Sequence, residues 1–271
     1  MHVTAKHASV NGYRDPGHTR LLGGRLSGQD RDALFAAGRL VRVGSRQPLL
    51  GSQEDRVLLM LRGAAKAWLV SDGGDEVITG IVGPGHATGL LGVLGYTETG
   101  HTITSLEPVE ALSVTGADLR HLIATRARIT AACLQTVAEQ HAAASAERRR
   151  FAGTSVSQRV AHRLLELATR WGQPDDGVIH IELHLSQQEL AAWSGTSRES
   201  VAKVLKRLRA SGLIATDWRT LHVLDLPRLR EHCARSVPGG SSVARAGRPR
   251  SFAGPAPAFA GTSKVSPPSD A

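Results

Sequence analysis

The chain is poor in cysteine, in aromatic residues and in long apolar runs. Of its 271 residues, two are cysteine and 4% are aromatic. Cys133 and Cys233 cannot supply an all-cysteine zinc or iron–sulfur site within one chain, and they give no sign of a disulfide framework. No run approaches the roughly 18 apolar residues that cross a membrane. We therefore expect neither a thiol-bound metal centre nor a membrane span.

Motifs for secretion and for common enzyme classes are also missing. The first residues, MHVTAKHASVNGYRDPGH, lack the apolar core of roughly 7–15 residues that a secretion signal needs. Neither the phosphate-binding pattern GxxxxGK[ST] nor the serine-nucleophile pattern GxSxG occurs. We expect a soluble, cytoplasmic protein that is not an enzyme and holds no cofactor and no metal.

What the chain does contain is an excess of cations. Lys and Arg number 33 against 24 Asp and Glu, which gives a formal net charge of +9. This excess favours a polyanionic partner such as nucleic acid, although charge alone does not identify one.

Composition divides the chain into segments of different character. Residues 1–26 and the Pro-, Gly- and Ser-rich residues 236–271 hold few large apolar side chains, so we expect both to be disordered. Between them we predict a first domain over residues 27–117, a long helix over residues 118–150 and a second domain over residues 151–235.

The first domain has the sequence pattern of an antiparallel β-barrel or sandwich. A short helix is predicted to begin at Ser27 and to stop at Gly38. Six β-type runs follow, separated by turns that contain Gly, Pro or Asp: LVRVG, RVLLMLRG, KAWLVSD, EVITGIVG, HTITSL and VEALSV.

The segment from residue 118 to residue 150 contains no Gly or Pro and is rich in strong helix formers, which predicts one uninterrupted helix. One face of this helix has a 4,3,4,3 spacing of small and apolar residues, which suits pairing with a second copy of the helix. The alternative is that this face packs against the chain's own β domain. The face consists of Ile129, Cys133, Thr136, Gln140 and Ala143.

The segment LSQQELAAWSGTSRESVAKVLKRLRASGLI predicts two short helices joined by a tight turn. Ser186 with Glu189 forms a capping box that begins the first helix, and Gly195 permits the turn. Thr196 with Glu199 forms a second box that begins the second helix. The run LIATDWRTLHVL then predicts a β-hairpin. This order is that of a helix-turn-helix followed by a wing.

The second helix has one apolar face and one cationic face. Its apolar stripe consists of Val201, Val204, Leu205 and Leu208. Such a helix lies in the major groove of DNA, where Arg pairs with guanine and Glu accepts a hydrogen bond from cytosine. The charged residues of the other face are Arg198, Glu199, Lys203, Lys206, Arg207 and Arg209.

The stretch TSRESVAKVLKRLRASGLI resembles the recognition helix of the Crp/Fnr family, the cyclic-AMP receptor class of bacterial transcription regulators. The resemblance extends over residues 27–233 and follows the family's order of β-barrel, long helix and winged helix. It implies a homodimer joined through the long helix, with double-stranded DNA and RNA polymerase as partners.

The resemblance also implies roles for individual residues. Arg198, Glu199 and Lys203 stand where the family's cyclic-AMP receptor contacts bases, although that receptor has Arg at the place of Lys203. Lys is a point donor rather than a rigid fork, so we expect the preferred operator to differ at that base pair. Phosphate contacts are implied for Ser186, Gln187, Ser197, Ser200 and Lys206.

The glycine-rich run GHATGLLGVLG stands where cyclic-nucleotide-binding members carry their phosphate-binding cassette. Gly89 is retained, but Leu90 replaces the Glu that holds the ribose, and no Lys or Arg occurs between Gly83 and Pro108. Without the charge-assisted pair, we expect affinity for a cyclic nucleotide to fall by about tenfold or more. The implied effector site, vestigial or recut for another ligand, comprises Gly89, Leu90, Leu91, Thr99, Thr102 and Ser145.

One histidine-rich run has two interpretations. In HIELH, the side chains of His180, Glu182 and His184 share one face of a predicted strand and could ligate a metal. Apolar residues alternate with them, which favours an ordinary amphipathic strand, and we prefer that interpretation.

Together these patterns predict an α+β fold with an N-terminal antiparallel β-barrel of the jelly-roll, cyclic-nucleotide-binding type. A long dimerisation helix and a C-terminal winged helix-turn-helix complete the expected architecture. The predicted function is that of a transcription regulator that binds an inverted-repeat operator as a homodimer, without dependence on cyclic AMP. The alternative is a small-molecule sensor that acts mainly through protein contacts, with DNA binding secondary.

Overall fold

The computed structural model of the chain describes residues 28–96, 101–217 and 220–234, together with Leu22 and Leu26. None of the helices in this part of the chain is long and apolar enough to cross a membrane. A β domain comes first, two consecutive helices follow it, and a helical domain with a small sheet comes last.

The β domain consists of two antiparallel four-stranded sheets. Its elements are α1 (Gly28–Ala37), β1 (Gly38–Val43), β2 (Pro48–Leu50), β3 (Arg56–Arg62), β4 (Ala65–Val70), β5 (Glu76–Val82), β6 (Ala87–Thr88), α2 (Leu90–Val93), β7 (Thr102–Ser105) and β8 (Val109–Thr115). The sheet orders are β1-β8-β3-β6 and β2-β7-β4-β5. The predicted helix stop at Gly38 and all six predicted strands are confirmed, whereas Ser27 lies outside the described residues.

The two sheets pack on each other through apolar side chains. Leu58 and Met60 of the first sheet lie in one fully buried cluster with Ala65 and Ile103 of the second. The barrel is not closed, but the arrangement is jelly-roll-like, as the strand pattern predicts. We call residues 38–115 the β-roll.

The core of the β-roll reaches into the segment that the sequence predicts to be disordered. Leu22 is 1% exposed, and it lies with Leu26 in the same apolar cluster as Leu34 of α1 and Val114 of β8. The prediction of disorder over residues 1–26 was therefore wrong for these two leucines. Low average hydrophobicity does not reveal single side chains that anchor a segment. The remaining residues of that segment lie outside the described part of the chain.

Two helices, α3 (Gly116–Thr125) and α4 (Ala127–Phe151), take the place of the single helix predicted over residues 118–150. Arg126 separates them with an extended backbone, φ −134° and ψ 97°. Its guanidinium lies 3.2 Å from Asp30 of α1, and Thr130 Oγ1 donates to the Ile123 carbonyl across the break at 2.6 Å. The single-helix prediction was wrong because helix propensity carries no information about such tertiary partners.

The 4,3,4,3 face of α4 packs on the chain's own β-roll. Ile129, Cys133 and Thr136 are at most 2% exposed, and Gln140 Nε2 donates to the Ala87 carbonyl at 2.9 Å. The prediction that this face pairs with a second copy was therefore wrong for these four residues, and the alternative interpretation applies to them, whereas Ala143 at the end of the face is exposed. A spacing of 4 and 3 identifies a packed face but not the partner that covers it.

The C-terminal domain has the predicted order of helices and strands. It comprises α5 (Val156–Trp171), β9 (Gly172–Asp175), β10 (Val178–Ile181), α6 (Gln187–Ser194), α7 (Arg198–Ala210), β11 (Ile214–Thr216), β12 (Leu221–Val223) and α8 (Leu226–Ala234). The strands form one sheet in the order β11-β12-β10-β9. The wing predicted from LIATDWRTLHVL is the β11–β12 hairpin. The segment predicted to be disordered, residues 236–271, lies outside the described residues, as does residue 235.

The β-roll and the C-terminal domain share one apolar core. Ile78 and Ile81 of β5 belong to the same buried cluster as Leu190 and Trp193 of α6. Arg170 of α5 donates to the Ile81 carbonyl at 2.9 Å, beside this apolar contact. The two domains are thus held together by buried surface as well as by the connecting chain.

Candidate nucleic-acid interface

Helix α6 begins at the predicted capping box. Ser186 Oγ accepts from the Glu189 backbone N–H at 3.1 Å, and the Ser186 N–H donates to the Glu189 carboxylate at 2.9 Å. The helix ends at Gly195, whose φ of 60° is left-handed. Residues 195–197 then form a short turn into α7, so the two helices make the predicted helix-turn-helix.

Helix α7 begins one residue later than the sequence pattern predicts. The hydroxyl of Ser197, not that of Thr196, accepts from a backbone N–H, that of Ser200, at 3.2 Å. The second capping box was therefore wrong, because two adjacent hydroxyl residues both suit the N-cap. Glu199 instead lies exposed in the first turn of α7.

Glu199 is held in its charged form. A hydrogen bond from its own backbone N–H, followed by one from the Ser197 hydroxyl, lowers the pKa of this carboxyl. At neutral pH the side chain is a carboxylate, which is the form that accepts a hydrogen bond from cytosine.

The two faces of α7 are as predicted. The apolar stripe is at most 5% exposed at Val201, Val204, Leu205 and Leu208. The other side faces solvent and holds Arg198, Glu199, Lys203, Lys206, Arg207 and Arg209. The structure therefore gathers the predicted base-contacting residues on one exposed surface.

The residues predicted to contact phosphate lie mostly at helix N-termini. Ser186 and Gln187 are exposed at the start of α6, and Ser197 and Ser200 lie at the start of α7. Helix N-termini attract anions because backbone N–H groups and the helix dipole point outward there. Lys206 lies further along α7 and is exposed. The contacts themselves stay predictions.

The wing is bonded to the recognition helix and to its own sheet. Arg209 of α7 donates to Thr216 Oγ1 of β11 at 3.1 Å. On the neighbouring strands, the Nδ1 atoms of His180 and His222 lie 2.8 Å apart, and His222 Nε2 lies 3.0 Å from Asp217 Oδ2. These contacts hold the hairpin in a fixed place beside α7.

The metal interpretation of HIELH finds no support in the structure. Strand β10 ends at Ile181, so Glu182 and His184 lie beyond the strand that carries His180. Among the described residues, no group of three or more His, Cys, Asp or Glu side chains is arranged to hold a metal ion. The preferred interpretation of an amphipathic strand applies to residues 178–181 alone.

The candidate interface also faces the β-roll. Ser197 and Arg198, at the start of the recognition helix, line a cleft of about 800 Å³. The opposite wall carries Ser71, Asp75 and Glu76 from the β4–β5 hairpin. Cations line the same cleft at Arg46, Lys66 and Arg198, and Lys66 donates to the Glu76 carboxylate at 2.7 Å, so the cleft holds charges of both signs.

The glycine-rich cassette is packed with apolar side chains. Gly89 has a left-handed φ of 88°, and a Cβ there would clash with the Arg56 carbonyl, so this glycine is required by the turn. Leu90 is 2% exposed and lies with Val93 and Ile129 in one apolar cluster. This packing supplies a structural reason for the glycines that requires no ligand.

The other predicted effector residues that the structure describes lie on three different elements, α2, β7 and α4, and their role stays a prediction. Leu91 and Thr102 are half-buried on α2 and β7, and Ser145 Oγ accepts from Arg148 within its own helix at 3.3 Å. Thr99 lies outside the described residues.

Two protein-family models match the chain. The cyclic nucleotide-binding domain matches residues 50–126, and the Crp-like helix-turn-helix domain matches residues 158–232. The chain belongs to the Crp/Fnr family. Crp-like helix-turn-helix domains bind DNA, and α6 and α7 are the two helices of that motif in this chain.

Relatives of known function support the same placement. The CRP-like cAMP-activated global transcriptional regulator of Mycobacterium tuberculosis is 29% identical over 179 residues, covering 66% of this chain and 80% of that protein. The cyclic AMP receptor protein of Thermus thermophilus is 29% identical over 189 residues, which cover 67% of this chain and 81% of that protein. These relatives are transcription regulators and not enzymes, which agrees with the absence of enzyme motifs.

A solved structure shows the same fold. The c-di-GMP-responsive global regulator CLP of Xanthomonas campestris superposes with a TM-score of 0.64 at 21% identity, covering 73% of this chain and all but 1% of that one. At this identity the similarity concerns the Crp/Fnr fold alone.

In this Crp/Fnr protein, the helix-turn-helix is joined to the β-roll through Glu189. Besides capping α6, the Glu189 carboxylate forms an ion pair with Arg46 and lies 3.4 Å from Lys66 Nζ. Arg46 also donates to the His184 carbonyl at 2.8 Å. The sequence analysis assigned Glu189 to the capping box only, because nothing local indicates that a turn at residue 46 reaches α6.

The contacts with Arg46 and Lys66 help to lower the pKa of Glu189. Burial raises the pKa of the Glu189 carboxyl, but the Ser186 backbone N–H, Arg46 and Lys66 together outweigh burial and lower it. The charged form is therefore the stabilised form.

We predict that Glu189→Gln lowers the free energy of unfolding at neutral pH by about 1.5–3 kcal/mol, because hydrogen bonds to a charged group are lost. Since the folded-state pKa is lowered, the contribution of Glu189 is complete above the unfolded-state pKa of about 4.3 and is lost as the pH falls through the folded-state pKa. Urea unfolding of both proteins at neutral pH and near pH 4 measures the difference.

Glu182→Gln, at an exposed glutamate of the same domain, is the matched control. It should change stability by less than about 0.5 kcal/mol. A gap between wild type and Glu189→Gln that does not narrow at acidic pH would contradict the ion-pair assignment.

Proposed function

We propose that this Crp/Fnr protein is a sequence-specific transcription regulator that binds an inverted-repeat operator as a homodimer, independently of cyclic AMP. The observation that carries the proposal is the exposed polar face of α7, built on a buried apolar stripe and flanked by a wing bonded through Arg209. RNA polymerase as a further partner stays a prediction.

Base reading would come from three exposed side chains with different hydrogen-bonding abilities. Arg198 presents a planar fork that matches the O6 and N7 atoms of guanine, and Glu199 is a carboxylate that accepts from the N4 amino group of cytosine. Lys203 lies one turn further along the same face and donates as a point charge.

The exposed side of α4 supports dimer formation. A second 4,3 spacing runs along this helix on the side away from the β-roll, and Leu134 within it is 64% exposed. A large exposed Leu flanked by alanines suits close packing against a second helix. The exposed members are Ala127, Ala131, Leu134, Ala138 and His141.

The cassette supports independence from cyclic AMP. The relative from Mycobacterium tuberculosis is a cAMP-activated regulator, and the relative from Thermus thermophilus is a cyclic AMP receptor protein. In this chain, the ribose-binding position is the buried Leu90 and no Lys or Arg lies between Gly83 and Pro108. A cyclic phosphate placed there would lose its solvation without gaining a cationic partner.

The direct test is selection of bound DNA from a random duplex pool. The proposal expects an inverted repeat whose half-site centres lie about one helical turn apart, roughly 34 Å, because two recognition helices related by a two-fold axis must enter successive major grooves. A pool that remains random after repeated selection, with the protein folded, would overturn the proposed function in favour of a sensor that acts through protein contacts.

On the selected site, we predict different behaviour for two cationic residues of α7. Arg198→Ala should weaken binding by about 1–3 kcal/mol and relax preference at one base pair per half-site. Lys206→Ala should weaken all sequences alike and lower the salt slope by about one. Gel-shift titrations against single-base variants at several salt concentrations distinguish them. If both variants lost the same affinity on every sequence, Arg198 would have no role in reading bases.

We predict that the exposed Leu134 is required for dimers. Leu134→Glu should give a monomer at micromolar concentration, because carboxylates would face each other across the two-fold axis. Sedimentation with the selected DNA present and absent measures the mass. The control is Val70→Glu, at a side chain of the β-roll that is 60% exposed, and it should leave the dimer intact. A dimeric Leu134→Glu protein would place the dimer interface elsewhere.

We predict that cyclic AMP and cyclic GMP leave operator affinity unchanged within about twofold, since a ligand shifts an equilibrium only by its differential affinity for two states. Calorimetry with each nucleotide, beside operator titrations with and without it, measures both quantities. Micromolar nucleotide binding together with about a tenfold gain in operator affinity would show that the cassette is functional.

A further inference from the structure

Arg163 of α5 is a buried cation at the meeting point of three helices. Its side chain is 4% exposed. The guanidinium stacks between two aromatic rings, with its central carbon 4.6 Å from the Phe151 ring at the end of α4 and 4.4 Å from the Trp193 ring of α6. A planar guanidinium can stack in this way on two faces at once.

Each nitrogen of Arg163 also has a hydrogen-bond acceptor. Nε donates to the Trp193 carbonyl at 3.0 Å, and one terminal nitrogen donates to Glu166 of α5 at 3.2 Å. The other terminal nitrogen forms an ion pair with Glu147 of α4. Arg163 thus binds the long helix through Glu147 and Phe151, and the helix-turn-helix through Trp193.

A second arginine of α5 binds the turn that leads to the recognition helix. Arg159 donates to the carbonyls of Ser194 and Gly195 at 2.9 and 3.0 Å, and to the Thr154 carbonyl at 3.2 Å. The last carbonyls of a helix carry the negative end of its dipole, so two cations stabilise the end of α6. The start of α7 is thereby fixed relative to α5.

A short non-helical link, residues 152–155, joins α4 to α5. Its hydrogen bonds are mostly local, as in the one from the Thr154 N–H to the Phe151 carbonyl, and Gly153 has a left-handed φ of 77° with nothing within 4 Å of the place where a Cβ would lie. A buried guanidinium, by contrast, cannot leave one partner without losing a charge-assisted bond in a poorly solvated place. The contacts of Arg163 are therefore a buried, direct connection between α4 and the helix-turn-helix, beside the apolar contact that runs through the β-roll.

We propose that Arg163 is a positioning residue that sets the angle between α4 and the helix-turn-helix, and thereby the separation of half-sites that the protein accepts. This inference rests on the proposed function, because it requires two recognition helices related by a dimer of α4. In a rigid dimer the two helices accept one separation, whereas a loose connection tolerates several. Glu147 is the contact through which the long helix holds Arg163.

The test compares Glu147→Gln with Glu166→Gln, two neutralisations at the same guanidinium. Only Glu147→Gln removes a contact with α4, since Glu166 belongs to α5. Each protein is titrated against a single half-site, against the selected inverted repeat, and against repeats with one or two base pairs inserted or deleted between the half-sites. Thermal unfolding establishes that each variant is folded.

We expect Glu147→Gln to bind the single half-site with the affinity of the wild type. Its ratio of affinities for the selected spacing over the altered spacings should fall by at least about fivefold. Glu166→Gln should keep that preference. Arg163→Lys, which keeps the charge but lacks the planar fork, should lose the preference as Glu147→Gln does.

Other outcomes overturn the inference in distinguishable ways. If Glu147→Gln keeps the wild-type spacing preference, Arg163 is not a positioning residue. If it weakens single and paired half-sites by the same factor, its role is structural within one domain. If wild type itself binds no repeat in preference to random DNA, the proposed function fails, and the other variants need not be compared.

Discussion

The apolar contact between the β-roll and the helix-turn-helix is the interaction on which the rest of the structure depends. Ile78 and Ile81 lie in one core with Leu190 and Trp193. Separating these surfaces would cost roughly 25 cal/mol of free energy for each Å² of apolar area exposed to water. Glu189, paired with Arg46 and Lys66, adds a polar attachment beside that core. A change in the β-roll would therefore reach the helix-turn-helix directly, and an effector would act by preferring one arrangement of the two domains.

Among the described residues, two populations of cations have different tasks. Arg159, Arg163 and Arg170 bind backbone carbonyls, carboxylates or aromatic rings inside the fold. Arg198 and Lys203 face solvent on α7. The net charge of +9 counts both populations equally. Attraction for polyanions comes mainly from the exposed cations, because the field of a paired cation is largely cancelled by its partner.

Most features encoded within a few residues were predictable from the sequence, although the N-cap of α7 was predicted at Thr196 instead of Ser197, and features that need a distant partner were not. The capping box at Ser186 and the buried stripe that includes Val201 depend on neighbours three or four positions away, and both are confirmed. The helix break at Arg126 depends on a residue almost a hundred positions earlier in the chain. Helix α4 is a second example. The spacing of apolar residues from Ile129 onward showed that one face is packed, but it could not show that the β-roll is the surface packed against it. Family resemblance identified the helix-turn-helix, but not the contacts of Glu189 that hold it against the β-roll.

The burial of Leu90 restricts which side chains this position accepts. A carboxylate introduced there alone would lie among Val93 and Ile129 without a cation, a loss of several kcal/mol from a protein whose whole stability is about 5–15 kcal/mol. A cation introduced alone between Gly83 and Pro108 would gain no partner at Leu90, which is apolar. A charged pair would therefore have to enter the cassette as two changes together, because either change alone is costly or without benefit.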